Sequence, residues 1–244
     1  MCGIAGFCLN KDERFNARKV SEILLNEIVI RGEDATGCAW VQPTDSPGGR
    51  PTIAVSKAPV PADLFSPYLE KMPTKTQRVI LHTRWATQGS PSNNLNNHPI
   101  VSGKIVGVHN GHLSNDKAVF KNLRSERRAQ VDSEAAFALI DQTKYAPADV
   151  LRSLEGRASL AWLDARDKRD LHLARCDGSP LAIGSTVKGS FFFASTRELL
   201  ERACDKAKVN LAWCEDVLPY TYLRIRNGEI VAVEDIGKSL KAIA

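Results

Sequence analysis

The dipeptide Asn227-Gly228 constrains this chain more than any other short stretch, because it separates two runs of strand-forming residues. Tyr220-Thr221-Tyr222-Leu223-Arg224-Ile225 precedes it and Glu229-Ile230-Val231-Ala232-Val233 follows. Asn-Gly accepts positive φ at both central positions of a two-residue turn whose twist matches paired strands, so the segment predicts an antiparallel hairpin. Residues 3–9, 37–41, 52–56, 78–82, 104–109 and 191–194 are further short apolar runs and read as strands; 157–163 and 171–174 form a pair around Asp164-Ala165-Arg166-Asp167. Helical spacing holds over 16–30, with Val20, Ile23, Leu24 and Ile28 on one face. It holds again over 133–142 and over 196–206, the latter with Ser195 as N-cap. Residues 61–72, 118–123 and 148–154 make weaker or shorter helices. Strands joined mostly by hairpins and interrupted by grouped helices predict antiparallel sheets with helix layers. No βαβα alternation is present, and no G-x-G-x-x-G follows a strand. Residues 43–51 are turn-rich and predict an exposed loop. The polar stretch 83–97, flanked by strands, reads as a functional loop.

With 43% hydrophobic and 25% charged residues, the 244-residue chain can bury a sizeable core and is not globally disordered. It shows no linker or repeat, so one domain is expected over 1–244, with 238–244 as a flexible tail. The net charge of +5 is modest, and the run Arg124-Ser125-Glu126-Arg127-Arg128 reads as a solvated helix end or loop, not a nucleic-acid patch. No apolar stretch nears the ~20 residues that span a bilayer, so no membrane partner is expected. No secretory leader is expected and no C-x-x-C pair is present, so the six cysteines are expected as free thiols in a reducing cytoplasm. His109-Asn110-Gly111-His112 is a weak metal signal in a glycine-containing loop; neither a metal nor a cofactor is expected.

The chain begins Met1-Cys2-Gly3-Ile4-Ala5-Gly6-Phe7-Cys8. A small second residue favours removal of Met1, which would give Cys2 a free α-amino group. One residue then carries a nucleophile and a base, with thiol and amine pKa values of about 8.5 and 7.7–8.0. The amine takes the proton and the thiolate attacks. On its own, a Cys at position 2 could equally be chance within a buried strand.

Four further motifs follow in order: Arg31-Gly32-Glu33-Asp34-Ala35-Thr36-Gly37; His82-Thr83-Arg84-Trp85-Ala86-Thr87-Gln88-Gly89 continuing to Asn97-His98-Pro99; His109-Asn110-Gly111; and Val131-Asp132-Ser133-Glu134. With Cys2 ahead of them, the sequence resembles class II (N-terminal nucleophile) glutamine amidotransferases, most closely the glutaminase domain of glucosamine-6-phosphate synthase. The resemblance runs from Cys2 to about residue 235. It departs from that branch at Gln88, where the branch has His, and at Glu33 and Ala35, where it has an aromatic and a Ser.

The resemblance, with the strand and hairpin pattern, implies an α+β fold, a four-layer αββα sandwich of two antiparallel sheets, with Cys2 at the start of the first strand. It implies a cysteine amidohydrolase that splits the side-chain amide of glutamine through a γ-glutamyl thioester on Cys2. Arg84 is the candidate fork for the substrate carboxylate and Asp132 the anion for its ammonium. The Asn110 side chain and the Gly111 N–H are the candidate oxyanion donors. Thr87 is expected beside the carboxylate, Trp85 on a mobile loop that closes over the site, His98 in the pocket lining, and Arg31 behind Cys2, steadying the amine through its backbone. Plainer roles stay open: Arg84 as a surface charge, Trp85 as core filler, Asp132 as a helix cap, Asn110-Gly111 as a hairpin turn, His98 as a loop histidine. The synthase domain is not expected within this sequence, so the ammonia is expected to pass to an acceptor on a separate synthase chain. Two rival functions are a free-standing hydrolase of γ-glutamyl amides and a non-catalytic interaction subunit.

Overall fold

The computed structural model describes residues 1–42, 52–167 and 169–237. The expected loop at 43–51 and tail at 238–244 lie outside the described residues. In chain order the elements are β1 (Gly3–Cys8), α1 (Ala17–Ile28), β2 (Ala35–Gln42), β3 (Thr52–Ala58), α2 (Ser66–Leu69), β4 (Arg78–Arg84), β5 (Ile100–Ser102) and β6 (Ile105–Leu113). Then follow α3 (Asp116–Lys121), α4 (Ser133–Gln142), α5 (Pro147–Arg152), β7 (Gly156–Asp164), β8 (Asp170–Arg175), β9 (Ala182–Thr186) and β10 (Phe191–Ala194). The last are α6 (Arg197–Lys206), β11 (Leu211–Asp216), β12 (Thr221–Arg226) and β13 (Glu229–Asp235).

The strands form a seven-stranded sheet, β11-β9-β10-β1-β4-β2-β3, and a six-stranded sheet, β13-β12-β8-β7-β6-β5. Every pairing is antiparallel. The two sheets stack, with α1 and α6 over the first and α3, α4 and α5 over the second, which gives the αββα order expected. Side-chain alternation shows the layering. Ala5, Phe7, Val79 and Leu81 join Leu24, Leu25 and Leu200 in the core under α1 and α6. Ile4, Cys8 and Ile80 meet Val106, Val108 and Leu173 between the sheets. Phe137, Trp162 and Leu160 fill the third core, under α4. A strand buried on both faces must be apolar on both, which is why β1 does not alternate; fully burying Phe7 contributes about 1.5–3 kcal/mol.

Several local details depart from the sequence reading. The α6 N-cap is Thr196, whose hydroxyl accepts from Leu199 N at 3.4 Å. Ser195 instead accepts from Ile4 N at 2.9 Å, pinning the start of β1. The stretch 61–72 breaks into a 3-10 turn, Ala62–Leu64, and the short α2, with Pro67 at its start. Asn110 and Gly111 lie inside β6 and not in a turn. Asn227 and Gly228 adopt φ of 50° and 85°, as the hairpin requires. No helix among the described residues is long and apolar enough to cross a membrane.

Candidate active site

Cys2 stands just before β1, at the end of the cleft between the sheets. In β4, Val79 and Leu81 face the helix layer and Ile80 faces the other sheet, so His82 and Arg84 fall on the inner face with Ile80. In β6, Val106 and Val108 face inward, which places Asn110 on the same face. By the same parity in β1, Cys2 follows Ile4 and Cys8 inward. Nucleophile, guanidinium and side-chain amide are thus turned toward one cleft by strand alternation.

The Cys2 thiol is bracketed by one residue's backbone: Trp85 N donates to Sγ at 3.4 Å, and Sγ lies 3.6 Å from Trp85 O. The Trp85 side chain is 56% exposed, so it is not a core filler. Arg31 donates from Nε to Cys2 O at 2.9 Å, so its side chain, and not its backbone, holds the nucleophile's residue. Burial pushes the Cys2 thiol pKa up; the Trp85 hydrogen bond, the amino terminus and Arg84 oppose this, and Asp132 adds to it. Arg84 and Asp132 therefore both act electrostatically on the thiol.

Gly32 is fixed by close approach. A Cβ there would lie 2.3 Å from the Arg84 carbonyl carbon and 2.4 Å from Trp85 N. Asp34, which follows in the same motif, donates from N to Arg84 O at 2.9 Å and accepts from Ala86 N through Oδ2 at 2.7 Å. The Arg31–Asp34 turn thereby clamps the backbone that holds Cys2. Sequence reasoning quoted this motif but gave Gly32 and Asp34 no role; an Asp just past a Gly turn was the available signal.

Arg84 is buried, not a surface charge. It donates from Nη1 to Asn97 Oδ1 at 2.7 Å, and from Nη2 to Gly89 O at 2.8 Å and to Gln88 O. The loop at 85–99 is correspondingly ordered from within. Asn97 Nδ2 donates to Pro91 O and Asn94 Oδ1, Asn96 Nδ2 to Ser90 O, and Lys57 Nζ to Asn97 O and Pro99 O. Asn96 also exchanges bonds with Gln130: its Nδ2 reaches Gln130 Oε1 at 3.1 Å, and Gln130 N reaches its Oδ1 at 2.8 Å. This joins the loop to the segment carrying Asp132. Thr87 is exposed on the loop. His98 is 4% exposed, stacks on His82 at 4.1 Å between ring centroids, and has no hydrogen-bond partner on either ring nitrogen.

Asp132 stands at the N-cap of α4 but makes no capping bond. Its Oδ2 accepts from Leu113 N at 2.6 Å, with His112 Nδ1 3.6 Å away. The backbone of β6 explains this choice. Lys104 O accepts from Ala165 N and Ser114 N donates to Glu155 O, so even-numbered backbone groups of β6 bond to the β7 side. Odd-numbered groups turn to the β5 side, and β5 ends its pairing at Gly107. His109, Gly111 and Leu113 therefore face an open edge. The Gly111 N–H points that way, at φ 146°, and a Cβ at Gly111 would meet Arg157 O at 1.9 Å. Asn110 is 2% exposed and its Nδ2 has no hydrogen-bond partner. An orphaned buried amide costs about 1–3 kcal/mol, and this one lies on the face toward which Cys2 is turned. No group of His, Cys, Asp and Glu among the described residues could hold a metal ion.

Three comparisons bear on this site. Residues 82–202 match the family described as glutamine amidotransferase domain. The chain is 33% identical over 215 residues to glutamine–fructose-6-phosphate aminotransferase (isomerizing) of Aliivibrio fischeri, covering 82% of this chain and 32% of that one. It is 28% identical over 227 residues to the enzyme of that name from Gluconobacter oxydans, covering 88% and 35%. The chain thus spans about a third of the length of these relatives. Among solved structures, glutamine phosphoribosylpyrophosphate amidotransferase from B. subtilis superposes with a TM-score of 0.77 at 19% identity, covering 98% of this chain and 50% of that one. That likeness speaks to the fold.

Proposed function

The chain belongs to the class II glutamine amidotransferase domains of the N-terminal-nucleophile type, and on that premise we propose that it hydrolyses the side-chain amide of glutamine at Cys2. The observation that carries this reading is the unpartnered Asn110 Nδ2, buried on the face toward which Cys2 is turned. In the proposed sequence Met1, 69% exposed, is removed, and the freed α-amine of Cys2 accepts the thiol proton. Sγ then bonds to the amide carbon, and the developing oxyanion is met by Asn110 Nδ2 and Gly111 N–H. The C–N bond breaks, the nitrogen takes up the proton and leaves as ammonia, and a γ-glutamyl thioester remains. Water hydrolyses it to glutamate and returns the thiol.

In this reading Asp132 holds the substrate ammonium, Arg84 its carboxylate and Thr87 flanks that carboxylate. Three of the five Arg84 N–H groups already serve the loop, including both on Nη2. A two-pronged carboxylate contact therefore displaces one loop carbonyl, so binding of substrate rearranges the loop that carries Trp85. We place the ammonia acceptor on a second polypeptide docked over the exposed Trp85 ring, and the setting in a reducing cytoplasm, where six free thiols persist. The test is glutamate and ammonia release from glutamine by purified protein, with intact mass showing loss of Met1. Cys2→Ser should lose nearly all turnover. Activity in protein that retains Met1 would rule out the α-amine as base. A separate acceptor chain is supported if a co-purifying protein raises turnover, and excluded if turnover is full without one and unchanged by Trp85→Ala.

A further inference from the structure

We propose that His82 is a positioning residue, holding the Asn110–Gly111 stretch of β6 against the sheet that carries Cys2; this rests on the glutaminase reading above. Past Gly107, β6 has a strand on one side only. On the open side its backbone is held at two points that flank Asn110 and Gly111. Asp132 takes Leu113 N–H at 2.6 Å, and His82 Nε2 meets His109 O at 3.1 Å. A carbonyl oxygen only accepts, so Nε2 carries the proton and Nδ1 is bare. The bond crosses from β4 of one sheet to β6 of the other, in the place where a neighbouring strand would have bonded.

The position is otherwise an apolar one. Ile80, two residues earlier on the same face of β4, belongs to the core between the sheets, and His82 itself is 0% exposed. A histidine there is disfavoured by desolvation unless its polar atoms are used, yet Nδ1 has no partner. Its one hydrogen bond is to the residue directly before Asn110, and the His98 ring stacked on it fixes the ring plane. Burial keeps the ring neutral near pH 7 by lowering its pKa to about 3, and the neutral ring's one proton is the one on Nε2. Since β1, which follows Cys2, pairs with β4, and the Trp85 backbone meets the Cys2 thiol, the bond ties the nucleophile's sheet to the stretch that carries Asn110 and Gly111.

The test compares His82→Phe, which keeps a ring without a donor, with His82→Gln, whose Nε2 can still donate at similar reach. Misplacement of a catalytic group by ~1 Å can cost about 10²-fold, so His82→Phe should lower kcat about 10- to 100-fold with KM within about twofold, and His82→Gln should recover most of the loss. The aldehyde analogue of glutamine, which forms a tetrahedral oxyanion on Cys2, should bind His82→Phe more weakly by the factor lost in kcat/KM. If His82→Phe does not fold, His82→Met, flexible and donor-free, takes its place in the comparison. An active wild type with unchanged kcat in the donor-free variant overturns the positioning role alone, as does a variant that is merely less stable. A wild type that releases no ammonia from glutamine overturns the glutaminase reading with it.

Discussion

Lowering the pH from 7 to 5 should destabilise this protein steeply, and His82 and His172 set the smallest size of the effect. Burial holds their pKa values down to about 3 and about 4, from 6.5. The folded-state values lie below the unfolded ones, so between them the unfolded chain binds protons that the folded chain refuses. The stability is whole above pH 6.5 and is lost as pH falls toward the folded values. At pH 5 both rings are almost fully protonated unfolded and almost fully neutral folded. At 1.36 kcal/mol per unit, the fall from pH 6.5 to 5 costs about 2 kcal/mol for each, or about 4 kcal/mol together. His98 and His109 are lowered by burial too and act in the same direction. Against a typical total of about 5–15 kcal/mol this is a large share. Urea unfolding followed by tryptophan fluorescence at pH 7, 6 and 5 reads it directly, and His172→Asn, whose amide lies where Nδ1 meets the Tyr222 hydroxyl, should flatten the slope by about one proton. A urea midpoint that stays constant from pH 7 to 5, at constant m, would refute the reasoning.

Asn110→Ala should lower glutaminase kcat by about 10²- to 10³-fold with little change in KM, since one oxyanion donor supplies about 2.7–4 kcal/mol; steady-state ammonia release checks it. Asp132→Asn keeps an acceptor for Leu113 N–H but loses the charge, so KM for glutamine should rise at least about tenfold. The same variant should shift the pH–rate curve for alkylation of Cys2 downward, because Asp132 helps to raise that thiol's pKa. Gly32→Ala drives a Cβ to 2.3 Å from the Arg84 carbonyl carbon, so it should cost about 1–3 kcal/mol in a thermal or urea melt and most of the glutaminase activity.

Much of the layer order was legible because alternation and turn chemistry act locally. Asn227-Gly228 formed its hairpin, and the apolar runs became strands within a residue or two of their expected bounds, except that β6 continues four residues past 109, through Asn110 and Gly111 to Leu113. The parity of Cys2, His82, Arg84 and Asn110 along their strands could also have been read, since residues two apart share a face. Strands lying at the margins were not legible. β5 has three residues, β9 is Ala-Ile-Gly-Ser-Thr with little apolar pattern, and β11 carries the short run Leu211–Cys214 but is mostly exposed on an edge and does not alternate. Ser195 and Thr196 are equally good caps by type; Ser195 was diverted because β1 lies beside it, a contact 191 residues away in sequence. The loop at 85–99 was legible as a loop, but its internal bonding was not. Its asparagines look like solvated loop residues, but Asn96 and Asn97 are fully buried and use their amides in place of a strand ladder. Composition reports polarity; whether polarity faces water or other amides is decided by the fold.

The state of Cys2 bears on the role proposed for its amine. A thiol that attacks an amide at neutral pH is usually activated by a lowered pKa or by an adjacent base. Here the first route is closed, because burial outweighs the Trp85 N–H, Arg84 and the amino terminus, and the thiol is raised. Among the three histidines nearest the cleft, His82 uses Nε2 to donate to His109 O, His109 Nδ1 is engaged by Ser133 Oγ, and His98 is stacked on His82. Burial lowers the pKa of all three, which weakens them as bases. Arg31 and Arg84 cannot accept a proton. Asp132 is committed to Leu113 N–H and, in the proposed reading, to the substrate ammonium. In the proposed reading the base is the nitrogen of Cys2 itself, which with Met1 attached is an amide and without it is an amine with a pKa of about 7.7–8.0. On that proposal, burial that disfavours the unassisted thiolate makes removal of the exposed Met1 a requirement for activity.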